Sequence, residues 1–150
     1  MKTLIIGASG QIGKMTTQKM LAQEHEVVAL VRDKSKLTDI EHPNLSIVEQ
    51  DLENDFSRAL TGVQQVIFSA GSGGATGADK TLLIDLWAAV KAINYAVDAQ
   101  VEHFIMVSSI GADDPDGIES SIKPYLVAKH MADEHLLHSG LHYSIVRPGT

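Results

Sequence analysis

Apolar and polar positions divide the chain into short apolar runs separated by segments with helical spacing. Lys2-Thr-Leu-Ile-Ile6 is too brief for a helix, and after it apolar positions recur at helical steps (Ile12, Met15, Met20, Leu21). Glu26-Val-Val-Ala-Leu-Val31 is β-branched and almost continuously apolar, the pattern of a strand buried on both faces. Leu45–Gln50, Gln65–Ala70, His103–Ser109 and Tyr143–Val146 complete a set of six predicted strands. The helical segments are Gln11–Gln23, a short one over Asp55–Leu60, a long one from Thr81 to Ala99, and Tyr125–Ser139 closed by Gly140. Residues 71–77, rich in glycine, read as a flexible loop, and 111–122, with Pro115 and Gly117, as a second loop. Strands alternating with helices predict an α/β fold: one parallel sheet covered on both faces. No internal repeat, linker or low-complexity tract interrupts it.

The junction between the first strand and the first helix carries Gly7-Ala-Ser9-Gly10-Gln11-Ile12-Gly13, three glycines spaced three apart. In a strand–turn–helix context this spacing is how a backbone approaches a pyrophosphate. Gly7 takes the tight turn, Gly10 has no Cβ to hold a phosphate away, and Gly13 lets the helix pack close on the sheet. The helix N-terminus then offers free N–H groups and the positive end of its dipole. Two competing motifs fail. A P-loop needs a hydroxyl after Gly-Lys, but Met15 follows Gly13-Lys14, and a nucleophile elbow needs glycine where Gln11 stands.

Composition narrows the ligand rather than the fold. At 150 residues the chain is long enough for one domain. With 12 Lys+Arg against 19 Asp+Glu it is acidic and lacks a basic stripe, so nucleic acid and anionic membrane are not expected partners. An anionic ligand must therefore be held locally, by amides and one or two cations. The chain has no cysteine, which excludes disulfides and thiol chemistry. No apolar run approaches the ~20 residues of a membrane span, and the first residues already form a strand rather than a signal peptide. The expected setting is the cytoplasm, with a small-molecule substrate and a monomer or homodimer.

The residue just after the second strand sets which dinucleotide fits: an acid there binds the 2′-hydroxyl of NAD, a cation favours the 2′-phosphate of NADP. Arg32 comes first and Asp33 next, so the order favours NADP while Asp33 keeps the acid reading open. Ser9 and Lys36 are positioned to add phosphate contacts, and Asp51, at the end of the third strand, can accept from the adenine amino group or simply cap a turn. Tyr125 and Lys129, four apart, share one helix face, where an ammonium beside a phenol lowers its pKa. Ser109 ends the fifth strand, facing the same crevice as a carbonyl-polarising hydroxyl or serving as a loop cap. His135, His138 and His142 suggest a metal cluster, but Gly140 breaks the helix between them and they read as a polar face. Asp113, Asp114 and Asp116 miss a calcium-loop register, so no metal is expected.

With these residues assembled, the whole chain resembles the short-chain dehydrogenase/reductase superfamily, in its atypical NAD(P)-binding branch related to NmrA-like and biliverdin reductase B-like proteins. The carrying pieces are Gly7-x-x-Gly10-x-x-Gly13, Leu30-Val-Arg32, Gln50-Asp51-Leu52, Phe68-Ser-Ala70-Gly71, Val107-Ser-Ser109, Tyr125-Leu-Val-Ala-Lys129 and Arg147-Pro-Gly149. The resemblance implies a Rossmann doubly wound sheet of order 3-2-1-4-5-6 in three α/β/α layers. It implies cofactor contacts from Gly7, Ser9, Gly10, Gln11, Ile12, Gly13, Arg32, Asp51, Leu52, Ala70, Gly71 and Lys129. Tyr125 would be the proton donor/acceptor, Lys129 would bind the nicotinamide ribose and depress the phenol pKa, and Ser109 would orient the substrate carbonyl. Where catalytic members use an asparagine on the preceding long helix, this chain has Asp85. Members of the superfamily also run on past the Arg-Pro-Gly stretch, and that further segment helps close the substrate pocket. The implied activity is an NADP(H)-dependent oxidoreductase or epimerase/dehydratase; the alternative is a redox-sensing regulator that binds the nucleotide without turnover.

Overall fold

The apolar runs pair as parallel strands because both faces of the sheet have helices to bury against. In the computed structural model, residues 1–71, 77–117 and 121–148 are described. The strands are β1 (Lys2–Ile6), β2 (Glu26–Val31), β3 (Leu45–Glu49), β4 (Gln65–Phe68), β5 (His103–Val107) and β6 (Tyr143–Val146). They form one sheet in the order β3-β2-β1-β4-β5-β6. The centre is the register Leu4 to Val28 on one side and Leu4 to Val66 on the other. The helices are α1 (Gln11–Ala22), α2 (Ala78–Lys80), α3 (Ala89–Asp98) and α4 (Lys123–Leu137), and a π-helical segment, Thr81–Ala88, joins α2 to α3. The sheet, its order and its flanking helices are the Rossmann-type arrangement expected from the sequence.

Strand alternation explains the two cores. Leu4, Ile6, Val28, Leu30, Val66, Phe68, Phe104 and Met106 face Ala89, Ala92, Ile93 and Ala96 of α3 and Ala132 and Leu136 of α4. The intervening positions Ile5, Val27, Ala29, Val31 and Ile67 pack on the opposite side with Leu21 of α1 and Leu37. Every central strand is therefore apolar at successive positions, because neither of its faces meets water. None of the described helices is long and apolar enough to cross a membrane.

The structure departs from the expected boundaries in ways that matter for the site. Pairing in β4 stops at Phe68 and in β5 at Val107, each two residues before the predicted end. Ser69-Ala70 and Ser108-Ser109 thus lie beyond the ladder, on the sheet's C-terminal edge. The predicted helix over 55–60 is a 3₁₀ turn at Ser57–Leu60, and α4 starts at Lys123 rather than Tyr125. The single long helix predicted from Thr81 is instead π-helical for its first eight residues. Its buried positions Thr81, Asp85 and Ala88 still recur at helical steps, so periodicity alone does not distinguish the two hydrogen-bonding patterns. Within the predicted loops, 72–76 and 118–120 lie outside the described residues, as do Gly149 and Thr150 of the Arg-Pro-Gly stretch.

Candidate functional site

The strand order reverses between β1 and β4, and ligands of such sheets bind outside the carboxyl ends of the strands at that point. A cleft of about 420 Å³ opens there, lined by Gly7, Ser9 and Gly10 after β1, by Arg32 after β2, and by Asp51, Leu52 and Glu53 after β3. Ser69, Ala70 and Gly71 after β4 form the next wall, with Lys80 and Ile84 at the far rim.

Each glycine of the turn has its own physical reason. Gly7 has φ +83°, and a Cβ there would lie 2.6 Å from the Ala70 backbone nitrogen and Cα. A Cβ on Gly13 would strike the Gly7 carbonyl oxygen and sit 2.8 Å from Ser69 Oγ. The protein's own packing therefore requires both. Gly10 differs: a Cβ there meets only Gly7 O, at an ordinary 3.5 Å, and its backbone (φ −72°, ψ 170°) suits any residue. The room in front of Gly10 is left for something other than protein. Gly10 caps α1 with no side-chain hydrogen bond and no acidic residue in the first turn, so the amides of Gln11, Ile12 and Gly13 keep their donors for a ligand. Ser69 braces the turn from below, its Oγ donating to Ile6 O at 2.9 Å.

At the next strand end Arg32 and Asp33 separate. Arg32 lines the cleft, whereas the Asp33 carboxylate accepts from Ser35 N at 3.0 Å and Ser35 Oγ at 2.7 Å, capping a 3₁₀ turn. Those two hydrogen bonds hold the Asp33 carboxyl below its usual range. Asp51 Oδ1 accepts from Glu53 N at 2.9 Å, so the turn-cap reading applies to a residue that also lines the cleft. Lys80 Nζ and Glu53 Oε2 pair at 2.7 Å on the cleft wall.

The other predicted residues gather behind this cleft rather than along it. Lys129 is 1 % exposed; its Nζ donates to Met106 Sδ at 3.6 Å and lies 5.4 Å from the centre of the Phe68 ring. Asp85 is fully buried on the π-helical segment, and a Cβ built on Gly71 would lie 2.9 Å from its Oδ1. Tyr125 is half-buried at the start of α4. Ser109 Oγ donates to Ile110 O at 3.2 Å, while its neighbour Ser108 is buried and donates to Asp133 Oδ2 at 2.6 Å. The phenol pKa is not lowered as expected. Burial pushes Tyr125 above its usual value, and the carboxylates of Asp85 and then Asp133 push it further. Lys129 does not offset them, because its side chain runs inward to Met106 and Phe68. His135 Nε2 and Asn94 Oδ1 are hydrogen-bonded at 2.8 Å, and His138 Nδ1 meets Glu134 O at 2.8 Å.

The matching family model is described as NAD(P)H-binding and covers residues 7–150. The chain belongs to this NAD(P)H-binding family. It is 42% identical over 153 residues to a Bacillus subtilis protein named an uncharacterized sugar epimerase, YhfK, covering 99% of this chain and 72% of that one. A Bacillus halodurans structure described as an NAD-dependent epimerase/dehydratase superposes with a TM-score of 0.92 at 44% identity, over 99% of this chain and 70% of that one. The oxidoreductase ylbE from Lactococcus lactis superposes at 0.88 with 30% identity, over 100% of this chain and 69% of that one.

The residues present fit the family's cofactor. Gly10 lines the cleft with nothing but Gly7 O near where a Cβ would stand, it precedes an α1 N-terminus without a side-chain cap, and Arg32 adds a cation to the same lining. Of the predicted contacts, Gly7, Ser9, Gly10, Arg32, Asp51, Leu52, Ala70 and Gly71 line the cleft, whereas Gln11, Ile12, Gly13 and Lys129 are not among its lining residues. Sequence reasoning assigned no role to Ser69, Glu53, Lys80 and Ile84 on the walls or to Asp133 in the buried cluster; of the hydroxyl pair Ser108-Ser109 it favoured Ser109, whereas Ser108 is the one that joins the cluster. Asp133 carried a signal: Tyr125, Lys129 and Asp133 recur at steps of four along α4.

Proposed function

We propose that the chain is an NADP(H)-dependent oxidoreductase, or a related epimerase/dehydratase, acting on a small carbonyl or hydroxyl substrate. The observation that carries the NADP reading is the division of labour after β2: Arg32 lines the cleft and Asp33 is occupied with capping Ser35. A guanidinium at that point suits a 2′-phosphate; both donors from Ser35 go to Asp33 Oδ1, so the preference for NADP rests on Arg32 being the residue of the two that lines the cleft. The Bacillus halodurans relative is described as NAD-dependent, so the cofactor preference rests on Arg32 and not on kinship.

Bound NADPH would supply hydride to the substrate carbonyl carbon. Tyr125 donates the proton to the oxygen: its phenol is protonated at neutral pH, although the burial and carboxylates that raise its pKa make it a weaker acid. Lys129 binds the nicotinamide ribose through its ammonium, and Ser109 orients the carbonyl. Removing the phenolic hydroxyl tests this. Tyr125→Phe is expected to slow NADPH oxidation over a panel of carbonyls by about 10²–10⁴-fold while leaving NADPH affinity within about twofold. An unaltered rate would remove Tyr125 from the mechanism.

One observation favours the second reading, a nucleotide-binding regulator without turnover. Tyr125, Lys129, Ser109 and Asp85 are not among the residues lining the cleft, so the nucleotide can be held without engaging them. Tight NADPH binding by the wild-type chain, with no oxidation on any carbonyl, would select the regulator.

A further inference from the structure

Asp133 has no role in the scheme above, yet it is 2 % exposed and sits among the groups that do. Its Oδ2 accepts from Ser108 Oγ at 2.6 Å, just past β5, and from Arg147 at 3.4 Å, just past β6. Its Oδ1 is buried with no hydrogen-bond partner among the described residues. A carboxylate oxygen left open in a dry interior is costly, and such groups in native proteins usually answer to a function. Lys129 has the complementary deficit. Its ammonium carries three donors, and among the described residues it donates to a thioether sulfur, a weak acceptor.

We propose that Asp133 is a positioning residue of this site: it ties the ends of β5 and β6 together through Ser108 and Arg147 and, one turn along the buried face of α4 from Lys129, sets a negative charge beside that lysine. The proposal rests on the reading of Lys129 as the ribose-binding ammonium, because a neutral amine there would lose its charge-assisted bond. The groups facing Lys129 define the balance. Met106 of β5 and Phe68 of β4 offer no charge, Asp85 approaches from the π-helical segment, and Tyr125 and Asp133 share α4. Arg147 draws on the charge of Asp133 from the far side. Burial pushes the Lys129 ammonium below its usual pKa, while Asp133 and Asp85 pull it back up.

The decisive measurement is an NMR titration of Lys129 in the full chain, labelled at lysine Cε and assigned through bonds to its backbone. Asp133→Asn keeps an acceptor for Ser108 but removes the charge, and the Lys129 midpoint is expected to fall by about one pH unit or more. Asp133→Glu restores the charge and is expected to recover most of that shift. Arg147→Gln, at a partly exposed residue, frees the carboxylate from its competitor and moves the midpoint up, so the test stands even if Asp133→Asn does not fold. A Lys129 midpoint that stays fixed in these variants overturns the proposal, whether or not the chain turns over. Failure of the functional reading shows separately, as absent NADPH binding or oxidation by the wild type.

Discussion

A methyl group at Gly10 separates the demands of the fold from those of the ligand. The backbone there is open to alanine and the added Cβ meets only Gly7 O at 3.5 Å, so no native contact is lost. Alanine narrows the unfolded ensemble, stabilising by about 0.4–1 kcal/mol, and gives up a favourable N-cap residue at a similar cost. The net change is within about 1 kcal/mol, or roughly 2–4 °C in Tm for a chain of this length. The same methyl at Gly13 would press on the Gly7 carbonyl and on Ser69 Oγ, and overpacking of that kind costs about 1–3 kcal/mol or more. NADPH should respond in the opposite order of selectivity. With phosphate oxygens expected in the space before Gly10, Gly10→Ala should weaken binding at least about tenfold, a loss of ~1.4 kcal/mol, in a protein that melts as the wild type does. Fluorescence titration with NADPH and a thermal melt by circular dichroism read the two quantities independently. Wild-type affinity in Gly10→Ala would refute the phosphate cradle; a melt as depressed as that of Gly13→Ala would refute the packing argument.

Arg32→Ala is expected to weaken NADPH binding by about 10–100-fold, the worth of a charge-assisted hydrogen bond, and to leave NADH binding nearly unchanged. Equal losses for the two nucleotides, measured by calorimetry, would return the choice of cofactor to Asp33. Acid stability follows from four aspartates held below their usual range: Asp33 by Ser35, Asp39 by Lys14, Asp55 by Ser57 and Asp116 by Lys123. Because their folded pKa values lie below the unfolded ones, their stabilisation is complete above about pH 4 and is lost as the pH falls through the folded values. The urea midpoint should therefore hold from pH 7 to 5 and drop below about pH 4; a midpoint equal at pH 5 and pH 3 would contradict this. Phe56, fully buried with its ring edge-on to Tyr95 at 4.9 Å, should cost about 3–5 kcal/mol when cut to alanine, read from the same urea transitions.

The sheet was legible because burial on both faces leaves strands no polar alternation, and Val27 to Val31 read as buried because every one of them is. Strand ends were less so. Apolar pattern reports burial, whereas a parallel ladder stops where its partner stops, and Phe68 pairs with the last residue of β1. The dinucleotide cleft was legible through glycines whose absent side chains are explained by contacts a Cβ would make. The buried cluster was harder to read for a physical reason. The inward face of α4 carries Leu126, Ala128, Ala132 and Leu136 but also Lys129 and Asp133, so charge sits where periodicity looks for apolar residues. The four-residue step from Tyr125 to Lys129 placed both on one side without fixing where the lysine chain turns, and burial together with the Asp85 and Asp133 carboxylates gives the Tyr125 shift the opposite sign.

On the proposed reading, binding and reaction would reside in different layers of one molecule. The cleft is built from the ends of β1, β2, β3 and β4. The reactive cluster is built from the ends of β5 and β6, from α4 and from the π-helical segment. The two layers meet along Phe68–Gly71: Phe68 lies under the Lys129 ammonium, and Gly71 faces both the cleft and Asp85 Oδ1. Gly71 thus lines the cleft while a side chain added there would reach the buried Asp85 carboxylate. Asp85 in turn raises the pKa of Tyr125 and opposes the burial that lowers that of Lys129, so on the proposed reading a nucleotide against Gly71 would lie beside a charge that both residues feel.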